Sequence, residues 1–303
     1  MHADEVPMDE GTARRLIDAQ FPEWRQKPVR RLATAGTVNA IVRIGDDLTA
    51  KFPLRRCEPG SVRAQLLHEI EAMRELAVCC PFPVPLAVAI GEPGDGYPLP
   101  WSVQTWLHGE VASPHSHESS AAFARDLVML IQSLRSADTR GRSFEGPGRG
   151  GDLTDSDEWM NVCLRESLGL LPVDRLRQAW SRLRTLPAPG PDVMSHRDLI
   201  PGNVLVEGEH IIGILDGGGF GPADPALDLV AGWHLLDTDR RALLRAALSC
   251  GDLEWYRGAA WAFQQAMGLV WYYRESNPVM SALGRTTLTR ILDDPELSEL
   301  IEA

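Results

Sequence analysis

The sequence predicts an α+β protein of two lobes: a small antiparallel β-sheet with one helix, then a larger, mostly helical lobe. Three observations carry this. Two short apolar runs, over 40–44 and 48–52, flank Gly45-Asp46-Asp47, a turn signal, and so read as a hairpin. Val62, Leu66, Ile70, Met73 and Leu76 then recur at helical spacing. Beyond Gly109 the apolar residues follow helical spacing almost throughout, broken by a single β island.

In chain order, residues 10–20 form a short helix and residues 29–54 a strand-rich stretch that contains the hairpin. Pro59-Gly60-Ser61 punctuates the chain before a helix over 61–77. The segment PFPVPLAVAIG (81–91) is extended, because prolines at alternate positions remove amide donors and exclude the helical region for the residues before them. GEPGDGYPLP is a turn, and WSVQTWL (101–107) is a strand ending at His108-Gly109. Helices follow over 119–137, 174–186, 226–236, 239–248, 252–273 and 278–292, the last behind Pro278, with the β island at 203–216. The lobes divide as 1–105 and 106–303, with a short connection near 104–110. Ligand sites often fall between such units.

The chain has 303 residues and a formal net charge of −12, from 42 acidic and 30 basic side chains. An acid excess of this size repels phosphate backbones and excludes nucleic acid as the default partner. It would draw in a cationic small molecule, although from composition alone the favoured reading is that the acid excess only keeps the protein soluble. The five cysteines are odd in number, include the adjacent Cys79 and Cys80, and form no CxxC pair, as in proteins of a reducing compartment. The N-terminal MHADEVPMDEGTARR is acidic without an apolar core, unlike a signal peptide. No apolar run reaches the ~18 residues of a membrane span. A cytoplasmic protein is expected.

The densest chemistry lies at Ser-His-Arg-Asp-Leu-Ile-Pro-Gly-Asn (195–203), followed by an apolar pair of runs, 204–206 and 211–215, around a turn at 207–210. Pairing as a hairpin brings Asn203 and Asp216 side by side at its open end, with Asp198 on the loop before it. Amide and carboxylate oxygens of this kind suit Mg²⁺, which keeps water and phosphate as its other ligands. Asp198 is left to accept a proton from a hydroxyl.

The pattern His-x-Asp-x-x-x-x-Asn, then Asp after a hairpin, resembles that of protein-kinase-like phosphotransferases. Such a reading requires a strand lysine, supplied by Lys51, and a helix glutamate to pair with it. Glu69 falls inside the apolar stripe of the 61–77 helix, whereas Glu71 and Glu75 point nearly opposite. A carboxylate on a buried face demands a partner, so Glu69 is assigned to Lys51. The phosphate-covering turn falls on Thr34-Ala35-Gly36-Thr37-Val38-Asn39. Its amides, with the hydroxyls of Thr34 and Thr37 and the single Gly36, can cradle phosphate.

The residues AGTVNAIVRIGDDLTAKFP (35–53), GEPGDGYPLPWSVQTWLHGE (91–110), SHRDLIPGNVLV (195–206) and GILDGGGFGPADPALDLVAGW (213–233) resemble the aminoglycoside phosphotransferases and related small-molecule kinases. In that family the metal-binding Asp precedes a Gly-rich stretch and G-D-P-x-x-D-L, matched here by Asp216 and by Ala223-Asp224-Pro225-Ala226-Leu227-Asp228-Leu229. The resemblance implies a bilobal, protein-kinase-like fold with ATP or GTP between the lobes. The nucleotide base is expected against the 104–107 connection, at Gln104 and Trp106. It implies that Asp198 is catalytic and that Asn203 and Asp216 hold Mg²⁺. It implies a γ-phosphoryl transfer to a hydroxyl of an aminoglycoside-like acceptor, and with it a role in antibiotic resistance. Three departures stand out: Arg197 replaces the family's usual Gly, Gly217 rather than Trp or Phe follows the metal Asp, and Gly36 is the single glycine of the phosphate loop.

Several further residues have assigned readings. His196 braces the loop. Asp224 caps a helix with Pro225 at its first position, and Asp228 supports the catalytic loop. Asp155, Asp157 and Glu158 are either acceptor-pocket acids or solvated loop charge. The aromatics of 255–273 are those of a core helix, with an aromatic wall for a sugar as the alternative. His115-Ser116-His117-Glu118 lacks further ligands and is given no metal. Two other functions compete: a metabolic kinase acting on a choline-like or amino-sugar acceptor, and a nucleotide-binding pseudokinase. The intact Lys51, Asp198, Asn203 and Asp216 oppose the second.

Overall fold

The computed structural model describes residues 6–32, 39–146 and 148–302. They fall into two compact units, one built from residues up to Val78 with Pro83–His108, the other from Cys79–Phe82 with residues 109 onward.

The first unit carries α1 (Glu10–Gln20), β1 (Val29–Arg31), β2 (Asn39–Ile44), β3 (Leu48–Pro53), α2 (Pro59–Cys79), β4 (Ala87–Gly91) and β5 (Trp101–Thr105). The strands form one antiparallel sheet in the order β1-β2-β3-β5-β4. The turn at Gly45 has φ +61°, which glycine adopts without a Cβ penalty, and β2 and β3 pair from Ile44↔Leu48 outward. Alternate residues of β2, Ala40, Val42 and Ile44, are buried. They meet Leu48, Ala50 and Phe52 of β3, Leu16 and Ile17 of α1, and Val62 and Leu66 of α2 in one core. The Phe52 ring stacks on Trp101 at 4.6 Å and meets Tyr97 edge-on at 5.5 Å. Such pairs add to the ~1.5–3 kcal/mol gained from burying each large apolar side chain.

The second unit contains β6 (Glu110–Val111), α3 (Ala121–Arg135), α4 (Asp157–Glu166), α5 (Val173–Leu183), β7 (Val193–Ser195), β8 (Val204–Glu207), β9 (His210–Ile214) and β10 (Gly221–Ala223). It ends in α6 (Val230–Leu235), α7 (Thr238–Ala247), α8 (Asp252–Tyr272), α9 (Pro278–Leu292) and α10 (Pro295–Glu302). Strands β6, β8 and β9 make a small antiparallel sheet, and β7 pairs with β10. Helix α8 runs through the middle, buried on nearly every face from Trp255 to Val270 and packed against α4, α5, α6 and α9. Its terminal aromatics Trp271 and Tyr272 lie only partly buried.

Some elements differ from the sequence reading. The helix expected over 226–236 is a 3₁₀ turn, Leu227–Leu229, followed by the six-residue α6, because Asp224 is drawn inward rather than capping a helix. Helices α4 and α10, and the two- and three-residue strands β6, β7 and β10, carry too few periodic apolar positions to stand out in sequence. No described helix is long and apolar enough to cross a membrane. Burial pushes the thiol pKa values of Cys163 and Cys250 up to about 11.

Gly91 lies against the flat of Trp101: a Cβ there would sit 2.0 Å from Cε2 of the ring. Gly91→Ala is expected to lower the unfolding free energy by about 1–3 kcal/mol, measured by equilibrium urea denaturation.

Candidate active site

The site is built around a buried carboxylate. Asp228, in the 3₁₀ turn after β10, is 2% exposed. Its Oδ1 accepts from Ser195 Oγ at 2.9 Å and from the Arg197 amide at 3.2 Å, and its Oδ2 accepts from the His196 amide at 3.0 Å. Three donors at the end of β7 thus share one acceptor, and the chain is turned out of the strand. The turn is sharp: Arg197 has φ +70°, in the left-handed region. This is the position where the resembling family usually has Gly, which adopts such a φ without strain. His196 is fully buried and its Nε2 donates to the Leu215 carbonyl at 2.9 Å, tying the loop to the end of β9.

Asp198 follows on this loop. Its Oδ2 accepts from Asn203 Nδ2 at 3.1 Å, and the same amide nitrogen donates to the Asp198 carbonyl at 2.9 Å. Both bonds use the nitrogen of Asn203, so its Oδ1 takes part in neither. The Asn203 carbonyl accepts from the Leu215 amide at 2.8 Å, and Val204 pairs with Ile214, so Asp216 follows directly across the open end of the β8–β9 hairpin. Asp216 itself is left-handed, with φ +60° and ψ +37°. Strained non-glycine backbone of this kind clusters at functional sites.

Asp198 Oδ1 is held from the other side. Gln265 Nε2 of α8 donates to it at 2.7 Å and Arg149 Nη2 at 2.8 Å. The orientation of Gln265 is set in turn: His234 Nε2 lies 3.0 Å from Gln265 Oε1, and His234 Nδ1 lies 2.8 Å from Thr287 Oγ1. Because Gln265 gives its nitrogen to Asp198, its oxygen accepts from His234 Nε2–H, and in the neutral imidazole His234 Nδ1 accepts from the Thr287 hydroxyl. The Thr287 hydroxyl can accept as well as donate, so burial rather than the bonding pattern keeps the imidazole neutral. Complete burial, with a smaller contribution from the charge of Arg149, pushes the His234 pKa down to about 4.

Asp224 is not the helix cap expected. Its Oδ1 accepts from the Ala226 amide, but its Oδ2 accepts from Arg257 Nε at 2.5 Å and Trp261 Nε1 at 2.8 Å of α8, all buried. Arg257 also donates to the carbonyls of Leu186 and Gly151. Of the acids near α4, Asp157 is consumed structurally by Arg184 and Trp180, while Asp155 and Glu158 are exposed. His115 bonds Glu118 at 2.9 Å and His117 bonds the Gly208 carbonyl at 2.8 Å. Among the described residues no group of three His, Cys, Asp or Glu side chains could hold a metal.

In the first unit, Lys51 lies in the middle of the sheet, opposite Ile41 of β2 and Ser102 of β5. Glu69 is half-buried on α2 and accepts from Gln65 Nε2 at 2.8 Å. Gln104 is buried on β5, and Trp106 packs under the Arg43 guanidinium at 4.3 Å, its amide bonded to the Asp47 carbonyl at 2.8 Å. Thr34, Gly36 and Thr37 lie outside the described residues. Sequence reasoning passed over Gln265, His234 and Arg149. The first two lie among apolar helix positions, and Arg149 lies in the Gly-rich stretch over 141–152 that reads as a simple loop.

Two measurements test this network. Asp228→Ala strands the buried Ser195 hydroxyl and His196 amide and is expected to cost about 2 kcal/mol or more in urea unfolding, at about 1–3 kcal/mol for each unpaired group. His234 is lowered from its ordinary value in the folded state, so protonation favours unfolding. Its stabilising contribution is complete above about 6.5 and shrinks as pH falls toward about 4. The slope reaches ~1.4 kcal/mol per pH unit, and the difference between wild type and His234→Gln over that window isolates it.

Comparison with known proteins agrees with this architecture. Residues 29–262 match the phosphotransferase enzyme family, described as APH. No curated protein sequence matches. Among solved structures, the GDP complex of wild-type aminoglycoside 2'-phosphotransferase-IIIa is similar at 17% identity and a TM-score of 0.67, over 97% of this chain and 99% of that one. Macrolide 2'-phosphotransferase type I is similar at 16% identity and a TM-score of 0.62, over 94% and 99%. The macrolide 2'-phosphotransferase MphH of Brachybacterium faecium reaches 18% identity and a TM-score of 0.57, over 86% and 91%. With the matched region spanning most of its length and the protein-kinase-like α+β fold shared, the chain belongs to the phosphotransferase enzyme family.

Proposed function

We propose that the protein is a cytoplasmic O-phosphotransferase that moves the γ-phosphoryl group of ATP or GTP to a hydroxyl of a small acceptor such as an aminoglycoside. One observation carries the reading: Asp198, on a loop fixed by Asp228, has its carboxylate oriented by Asn203, whose amide oxygen takes no part in that bond. In this reading Asp198 receives the acceptor proton as the oxygen–phosphorus bond forms and the bond to the β-phosphate oxygen breaks. Asn203 Oδ1 and the Asp216 carboxylate are the hard oxygen donors for Mg²⁺. A cation held by these two residues would supply charge neutralisation for the transferring phosphate. Lys51, with Glu69 as its partner, is assigned to the α/β-phosphates, and Gln104 and Trp106 to the nucleotide base.

The aminoglycoside acceptor draws its support from similar enzymes, one of them solved with GDP and kanamycin. A nucleotide-consumption screen across aminoglycosides, macrolides, amino sugars and choline-like alcohols, run beside Asp198→Ala, tests the function. Acceptor-dependent turnover is expected, falling by about 10²–10⁴-fold in the variant. No turnover with any acceptor sinks the enzyme reading. An aminoglycoside substrate should also raise the inhibitory concentration of that drug for a sensitive bacterium producing the protein.

A further inference from the structure

The Gly-rich stretch over 141–152 delivers an arginine to the candidate base, and the delivery is built in. Arg149 Nη2 lies 2.8 Å from Asp198 Oδ1, and the two side chains remain 31% and 34% exposed, so the pair can be reached by a ligand. The backbone beyond Arg149 is fastened to the buried network of α8. The Gly150 carbonyl accepts from the Asp224 amide at 2.8 Å, and the Gly151 carbonyl accepts from Arg257 Nη2 at 3.1 Å. Only glycine fits there. Gly150 has φ +128°, and a Cβ on it would stand 2.8 Å from both Ala223 and the Phe144 ring. Among the described residues the Nε of Arg149 is buried with no hydrogen-bond partner, so only the tip of the side chain is engaged.

Among the described residues, Oδ1 of Asp198 therefore carries two donors, Arg149 and Gln265, while Oδ2 carries only the amide of Asn203. A carboxylate paired in this way offers little net charge to an approaching cation, and a second cation there is repelled by the first. We propose that Arg149 is a resident counter-cation filling the place beside Asp198 that an ammonium group of the acceptor would take. The acceptor hydroxyl is then received at Oδ2, and the subsite selects a hydroxyl flanked by neutral or anionic groups. Ammonium groups elsewhere on a polycationic acceptor are left to more distant acids. This deepens the phosphotransferase reading and rests on it for naming the place an acceptor subsite.

The test is calorimetric titration of kanamycin, as a polycationic probe, and of trehalose, as a neutral one, into wild type, Arg149→Gln and Arg149→Lys. Thermal unfolding confirms that each is folded. Removal of the charge in Arg149→Gln is expected to tighten kanamycin binding by about fivefold or more, an advantage that shrinks at high salt. Arg149→Lys keeps the charge and the wild-type affinity even if the glutamine variant folds poorly. Trehalose binding changes in neither. Equal kanamycin affinity in all three proteins overturns the proposal. So does an equal gain in the glutamine and lysine variants, a gain shared by trehalose, or no kanamycin binding to any of them. Nucleotide consumption measured alongside separates the two ideas. Turnover without the charge effect removes only the Arg149 assignment, whereas the charge effect without turnover removes phosphoryl transfer.

Discussion

The second unit depends on the carboxylate of Asp228. A buried, ionised side chain is costly unless its oxygens are saturated, and here Ser195, His196 and Arg197 saturate them at one place in the chain. The energetics run in both directions. The loop supplies the donors that make the buried charge tolerable, and the charge holds three consecutive residues in a conformation that an arginine with φ +70° would not keep by itself. Everything that places Asp198 and Asn203 starts from this fixed turn. Because hydrogen bonds to charged groups are about twice as strong as neutral ones, a single side chain suffices.

A second buried charge does comparable work a few residues earlier. Asp224 and Arg257 are 3% exposed each and form an ion pair whose remaining polar atoms find Trp261 Nε1 and backbone carbonyls. Pairs of this sort contribute little net stability, because desolvation offsets their attraction. What the pair supplies here is position. It joins α8, the turn after β10 and the Gly-rich loop, which otherwise have no apolar reason to meet. Helix α8 then presents Arg257, Trp261 and Gln265 one turn apart to three parts of one site. The neutral His234 extends the same arrangement inward to Thr287 on α9.

The hairpins were legible in the sequence because short apolar runs around Gly45 and Gly208 leave few alternatives, and α2 and α3 because their stripes are long. The placement of Asn203 beside the chain leading to Asp216 was legible for the same reason: pairing of β8 with β9 forces it. The roles of His196 and Asp228 as supports also emerged. Asp224 did not, because Asp-Pro before an apolar run has the form of a helix start, and only a distant arginine on α8 draws the carboxylate elsewhere. Strands β7 and β10 escaped for a related reason. Three residues each, one of them Pro222, carry no period, and they pair only because the loops at both ends are tied down.

The sequence by itself determined which polar residues stand together at the open end of the β8–β9 hairpin. The order and spacing of Asp198, Asn203 and Asp216 are local or hairpin-bridged relations that chain geometry alone enforces. Only the tertiary structure decided the electrostatic state of the site. Gln265 lies 67 residues from Asp198 and Arg149 lies 49 before it, and no periodicity couples such separations. Their meeting depends on how helices and a glycine loop pack. For the same reason the acid excess of the whole chain does not describe the charge beside Asp198, where an arginine stands.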